Sequence, residues 1–182
     1  MKKTIALVLI VAISCSLFGC MAKMTPVENF LLATKKMDIA SMRAEIVPDE
    51  TVRSLDSRLA NADLDEESLQ TLKALYALVQ YTIGETSTEG NVKKVAVTLK
   101  APDMERIRFL TTTQVLVSGE TASALIEEMI NDGSISKNMM KEYSVSVKMI
   151  QTDGVWLIPC GDKENADFVS ALAIAEMIEF LS

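Results

Sequence analysis

The pair Asp153-Gly154 lies between two apolar-patterned runs, and it limits the folds that are open to this chain. The run before it alternates apolar with mainly polar residues, and the apolar members are Tyr143, Val145, Val147 and Met149. An apolar run at 155–158 follows the pair. Asp-Gly is a preferred turn between antiparallel strands because it accepts positive φ at both positions. The sequence therefore predicts a β-hairpin, which requires an antiparallel sheet.

A second hairpin is predicted around Gly90-Asn91. Residues 81–89 are rich in Thr and Ser with a period of two. After the turn, apolar residues alternate with mostly polar ones, at Val95, Val97, Leu99 and Ala101. Pro102-Asp103 then ends the strand, because proline cannot donate a ladder hydrogen bond.

Helical signals come before the first hairpin. Thr25-Pro26-Val27-Glu28 has the pattern of a capping box with proline in the first turn, which predicts a helix start. We expect this helix to break near Met37 and Asp38 to cap a second short helix. Residues 52–59 also have helical spacing. A stronger apolar stripe follows at Leu69, Leu72, Leu75, Tyr76 and Val79.

Helical signals also follow the first hairpin. Residues 104–131 look helical at both ends, but 111–119 are dense in β-branched residues and end at Gly119. A strand and a broken helix are both open there, and we favour two helices separated at Gly119. After Asp162, one helical face is predicted to carry Phe168, Leu172, Ala175, Ile178 and Leu181. Helices segregated from antiparallel strands indicate an α+β fold, with N-terminal helices on a sheet of two hairpins, a helical insertion and a C-terminal helix.

The first nineteen residues have the layout of an export signal. Lys2 and Lys3 precede an apolar run at 5–13, which is too short to span a membrane. Leu17-Phe18-Gly19-Cys20 resembles the lipobox of bacterial lipoproteins. That resemblance implies cleavage after Gly19, a diacylglycerol thioether on Cys20 and an acylated new N-terminus, palmitate being a typical chain. An ordinary secretory signal, an uncleaved anchor and lipidation at Cys15 are the alternatives.

This layout divides the chain into a signal peptide at 1–19, a lipidated tether at 20–24 and a single domain at 25–182. Without the signal, 163 residues remain, with 16 basic and 25 acidic side chains and a net charge of −9. Such an acidic domain is a poor partner for nucleic acid or for anionic lipid headgroups.

The residue types limit the chemistry. The chain contains no histidine, which excludes Ser-His-Asp and Cys-His nucleophiles and most zinc sites. Cys160 is the one cysteine left after processing, so no intramolecular disulfide is expected, and we interpret it as structural. The acids at 63–67 suit a helix start better than a calcium loop. We therefore expect no metal, no cofactor and no catalytic residue.

Further short motifs occur in a characteristic order. They are Thr25-Pro26, then Lys35-Lys36-Met37-Asp38-Ile39, then Ala101-Pro102-Asp103, then Asp153-Gly154-Val155-Trp156-Leu157-Ile158. In this order the chain resembles small bacterial lipoproteins with a cystatin-like, nuclear-transport-factor-like fold, over nearly all of 25–181. Met37 departs from the pattern, where a glycine is common. The resemblance implies a curved antiparallel sheet wrapped on helices with a cavity or groove between them. The family's function is largely unassigned, so no site residues carry over.

These observations favour a non-enzymatic domain, anchored by lipid on the extracytoplasmic side of the cell membrane. It would bind a small molecule or a peptide in the concave side of its sheet, or assist an envelope complex. One alternative is a structural or interaction module, such as a homodimer through an open sheet face with apolar residues exposed. Another is a His-free acid–base enzyme that uses an Asp with Tyr76, Tyr81 or Tyr143. The sequence does not identify ligand-binding residues.

Overall fold

The computed structural model describes residues 24–48 and 64–182, which form helices and a four-stranded, curved, unclosed antiparallel sheet. The predicted α+β class is therefore confirmed. Most of the buried apolar residues in these ranges belong to one hydrophobic cluster. Gly19, Cys20 and the predicted helix at 52–59 lie outside the described residues, so their predictions stay predictions.

The elements follow the predicted order. Ahead of the sheet lie α1 (Pro26–Lys36), α2 (Ile39–Ala44) and α3 (Glu66–Ala77). The first hairpin is β1 (Gln80–Glu89) with β2 (Val92–Pro102). The insertion contains α4 (Met104–Ser118), α5 (Ala122–Asn131) and the short α6 (Ser134–Asn138). The second hairpin is β3 (Met140–Thr152) with β4 (Val155–Leu157), followed by a 3-10 turn (Lys163–Asn165), α7 (Ala166–Leu172) and α8 (Ile174–Leu181).

Capping residues in the sequence determine where the first two helices, α1 and α2, begin. The Thr25 amide donates to the Glu28 carboxylate at 2.7 Å and the Glu28 amide donates to the Thr25 hydroxyl at 3.2 Å, which is the predicted capping box. The predicted break falls at Met37, which has a left-handed backbone with φ of 50°. Asp38 then caps α2 by accepting from the Ser41 amide. Glycine adopts the left-handed backbone conformation of Met37 without strain, which is a physical reason for a glycine at position 37.

The sheet has the order β1-β2-β3-β4. The β2–β3 register is continuous, from Val92 opposite Ile150 to Pro102 opposite Met140. One face of this pair carries Val95, Val97 and Leu99, which are almost fully buried in the shared core. The predicted alternation is thus correct.

The C-terminal helix differs from the prediction. It is two helices, because Ala173 interrupts it with φ of 46°. The break leaves the Leu172 carbonyl beside the fully buried Tyr76, whose hydroxyl donates to it at 2.8 Å. The break is thus accompanied by a contact between residues 96 positions apart. The insertion agrees with the favoured alternative, since α4 ends at Gly119 with φ of 76°.

Candidate functional site

The outer edge of β3 is only partly covered. β3 has thirteen residues, whereas β4 has three and pairs only with residues 150–152. The rest of the long strand, on the edge away from β2, depends on other elements to satisfy its backbone groups. An uncovered strand edge presents a row of N–H and C=O groups that can pair with another chain.

Asn165 covers one position of this edge. The Lys148 amide donates to its Oδ1 at 2.8 Å, and its Nδ2 donates to the Lys148 carbonyl at 3.0 Å. The same Nδ2 donates to the Pro159 carbonyl at 3.0 Å. Asn165 is fully buried, so its amide closes the edge in place of a strand residue.

The edge stays open beyond Lys148. Backbone groups of alternate residues in an antiparallel strand point to the same edge, so Glu142, Ser144 and Ser146 face outward together with Lys148. Among the described residues, none makes a hydrogen bond to the outward backbone groups of these three. Within residues 24–48 and 64–182, the backbone donors and acceptors on the outer side of residues 142–146, which we call the open edge, thus have no hydrogen-bond partner.

A groove of about 450 Å³ meets this edge at Ser144, and we call it the edge groove. Its first wall is β3, through Lys141, Tyr143, Ser144 and Val145. The start of α4 forms a second side, through Asp103, Met104, Glu105 and Arg108. The opposite wall belongs to α7 and α8 with the residue between them, and consists of Asp167, Ser170, Ala171, Ala173 and Glu176. The break at Ala173 thus shapes one side of the groove.

The edge groove carries more negative than positive side chains. Its acids are Asp103, Glu105, Asp167 and Glu176, and its bases are Arg108 and Lys141. Both bases lie over aromatic rings: Lys141 Nζ is 5.2 Å from the Tyr143 ring centre, and the Arg108 guanidinium carbon is 5.5 Å from that of Phe180. The cations keep their charge in these contacts, and the two additional acids still give the lining an excess of negative charge that favours positive ligands.

An ionic network holds the turn that leads into α7. Lys148 contacts Asp162 at 2.7 Å and Glu164 at 3.0 Å, and Lys94 contacts Glu164 at 2.6 Å. Hydrogen bonding to Lys148 holds the pKa of Asp162 below its usual value, and hydrogen bonds to Lys94 and Lys148 lower the pKa of Glu164. Since these residues precede Asn165, the network helps to position the amide at the edge.

The sequence candidates are dispersed, apart from Tyr143. Tyr143 and Val145, two apolar members of the predicted alternating strand, are both half-buried and line the edge groove. Tyr76 is fully buried, and burial raises the pKa of its hydroxyl well above the usual value. Trp156 is half-buried under Lys93, whose Nζ lies 4.4 Å from its ring. Cys160 is buried.

The acids at the start of α3 have structural roles. Asp65 caps the helix by accepting from the Ser68 amide at 2.7 Å, and this hydrogen bond lowers the pKa of Asp65. Glu67 accepts from the Thr121 hydroxyl at 3.4 Å. Across residues 24–48 and 64–182, no group of three or more Cys, Asp or Glu side chains is arranged to hold a metal.

Sequence reasoning missed the far wall of the edge groove. Asp167 and Ser170 lie on the predicted C-terminal helix, but they carry no motif that distinguishes them from ordinary exposed residues. They lie near β3 because the turn at 162–165, which precedes them, is held to Lys148 by the hydrogen bonds that Asp162 and Asn165 make with it. The available signal was the length difference between β3 and the short strand after Asp153-Gly154, because a long strand beside a short one leaves an edge.

The most exposed large apolar side chains of the described residues lie on α4. Phe109, Leu116 and Val117 are 71%, 83% and 85% exposed. Their spacing of seven and eight residues places them along one side of the helix. No helix in the part of the chain that the structure describes is long and apolar enough to cross a bilayer.

Neither a protein-family model nor a curated protein sequence matches the chain. Among solved structures, the fold is similar to the crystal structure of ycdA from Bacillus subtilis, described as a candidate lipoprotein, with a TM-score of 0.41 and 18% identity. The alignment covers 72% of this chain and 49% of that protein, so this chain spans about half of its length. A likeness at this level carries no conclusion about function, and the cystatin-like resemblance stays a prediction.

Proposed function

We propose that this protein is a non-enzymatic binding domain, held by a lipid anchor on the extracytoplasmic side of the cell membrane. The observation that carries the binding role is the edge groove, where a cavity of about 450 Å³ lies against strand backbone that no described residue pairs with. Binding pockets commonly have volumes of about 300–1,000 Å³ with a few converging polar groups. The volume of the edge groove lies within that range, and polar groups from three of its sides converge on it.

The anchor is supported by the sequence. Two lysines, a short apolar run and the lipobox-like Leu17-Phe18-Gly19-Cys20 occur in the order that export and lipidation require. Each buried CH₂ of an acyl chain contributes about 0.8 kcal/mol, so several chains hold a domain firmly on a bilayer. Replacing Cys20 with Ser should move the protein from the membrane fraction to the soluble fraction. Unchanged membrane retention would refute the anchor.

The binding role is tested by filling the groove. Ser170 is exposed on the wall opposite β3, so Ser170→Trp should block the cavity while leaving the core intact. Native mass spectrometry of the full-length protein, purified gently from its own host, should show an additional mass for wild type and for Ser170→Ala. The Ser170→Trp variant should lack that mass. Equal additional mass in all three proteins would place the ligand elsewhere.

A second candidate function is a protein-interaction module, and the exposed side of α4 favours it. Three large apolar side chains, Phe109, Leu116 and Val117, are more than 70% exposed on one helix. Exposed apolar patches often mark contact surfaces. Sedimentation velocity should then show a self-associated species that Leu116→Ser with Val117→Ser converts to monomer, with Leu69→Ser as the control. A monomer at all concentrations would exclude self-association.

A further inference from the structure

We infer that the ligand of the edge groove is an extended, basic peptide segment that adds to β3 as a strand along residues 142–146. This inference rests on the proposed binding function and specifies the ligand. Strand addition is an established way in which sheets recognise peptides: backbone hydrogen bonds supply the affinity, and side-chain contacts supply the specificity.

The chain already pairs with this edge at two neighbouring places. β4 pairs with residues 150–152, and the Asn165 amide satisfies both backbone groups of Lys148. The open edge continues directly from these positions with the same geometry. Five strand residues span about 17 Å at ~3.4 Å each, which is long enough to bind several peptide residues.

The unpaired groups match a peptide backbone. Glu142, Ser144 and Ser146 each direct one N–H and one C=O outward. A second extended backbone supplies donors and acceptors at the same spacing, whereas a compact small molecule reaches only a few of them. The wall formed by Asp167 and Ser170 faces this strand across the groove and offers further polar contacts.

The charges specify a basic peptide. The groove is lined by four carboxylates against two cations, and Arg108 and Lys141 are each placed over a ring. The chain as a whole has a net charge of −7, so its long-range field attracts cations. Lysine or arginine side chains alternating along the peptide would reach the acids on the α4 and α7 sides.

The test uses full-length protein in detergent and an amidated eight-residue peptide in which lysine alternates with valine. We expect saturable binding by fluorescence anisotropy. Ser144→Pro removes the outward N–H without breaking a bond within the described fold, and Ser144→Ala keeps it. Binding should weaken by about tenfold or more in Ser144→Pro and by less than about twofold in Ser144→Ala.

Peptide variants test the same contact on wild-type protein, so the result does not depend on the folding of Ser144→Pro. Methylating alternate backbone nitrogens on one peptide edge should abolish binding, and so should replacing lysine with glutamate. Equal binding of the methylated peptide would overturn strand addition, and equal binding of the glutamate peptide would overturn the charge assignment. If no peptide binds but Ser170→Trp still loses a co-purified small molecule, this inference fails while the proposed function stands.

Discussion

Removing the Asn165 amide should destabilise the protein strongly. Asn165→Ala deletes three hydrogen bonds of 2.8 to 3.0 Å, two to Lys148 and one to Pro159. Each contributes a net ~1 kcal/mol, and leaving buried partners unpaired adds to this, so we expect a loss of about 3 kcal/mol. For a domain of this size, that loss lowers the thermal midpoint by roughly 6–12 °C.

Urea unfolding followed by circular dichroism measures this loss directly. Asn131→Ala is the matched control, because Asn131 is exposed at the end of α5, and it should change the unfolding free energy by less than about 0.5 kcal/mol. Hydrogen exchange should also show faster exchange at the Lys148 amide in Asn165→Ala. A loss below about 1 kcal/mol with an unchanged Lys148 exchange rate would refute the role given to this amide.

Three further predictions follow from the described contacts. Tyr76→Phe leaves the Leu172 carbonyl without its donor and should cost about 1–3 kcal/mol in urea unfolding; a neutral result would show that the break at Ala173 does not need this bond. The Thr111 hydroxyl is buried with no hydrogen-bond partner among the described residues, so Thr111→Val should raise the unfolding free energy by about 1 kcal/mol, and a loss would contradict that assignment. Lys148 lowers the pKa of Asp162, so the stability from this pair is present above the unfolded Asp pKa of ~3.9 and is lost as pH falls through the lower folded-state pKa. Stability curves between pH 2 and 7 should therefore lose part of their acid dependence in Lys148→Met, and identical curves would refute the coupling.

The apolar face of the sheet is covered for a physical reason. Helices cover the apolar sheet face that carries Val95, Val97 and Leu99, because burying that face is the main driving force for the fold. The backbone at the sheet edge cannot be buried in the same way without partners. At residues 142–146 the outward backbone groups of β3 therefore remain at the edge, where no described residue pairs with them.

Several features could be predicted from the sequence alone because they depend on neighbouring residues. The Thr25 capping box, the two hairpin turns and the break at Gly119 each follow from the conformational limits of a few adjacent residues. The residues Asp153 and Gly154 both have positive φ, as the turn requires. Periodicity within each strand and helix then indicated the α+β class.

Tertiary structure alone decided where the edge groove lies and how the C-terminal helix is divided. Ala173 has no local signal for a left-handed backbone, and its conformation is accompanied by a hydrogen bond from Tyr76, 96 residues away from Leu172. The sequence around Asn165 likewise indicates only an ordinary turn residue. Its role at the edge of β3 depends on its hydrogen bonds to Lys148 and Pro159. Their roles depend on which distant groups need hydrogen bonds after burial, and only the packed chain specifies those groups.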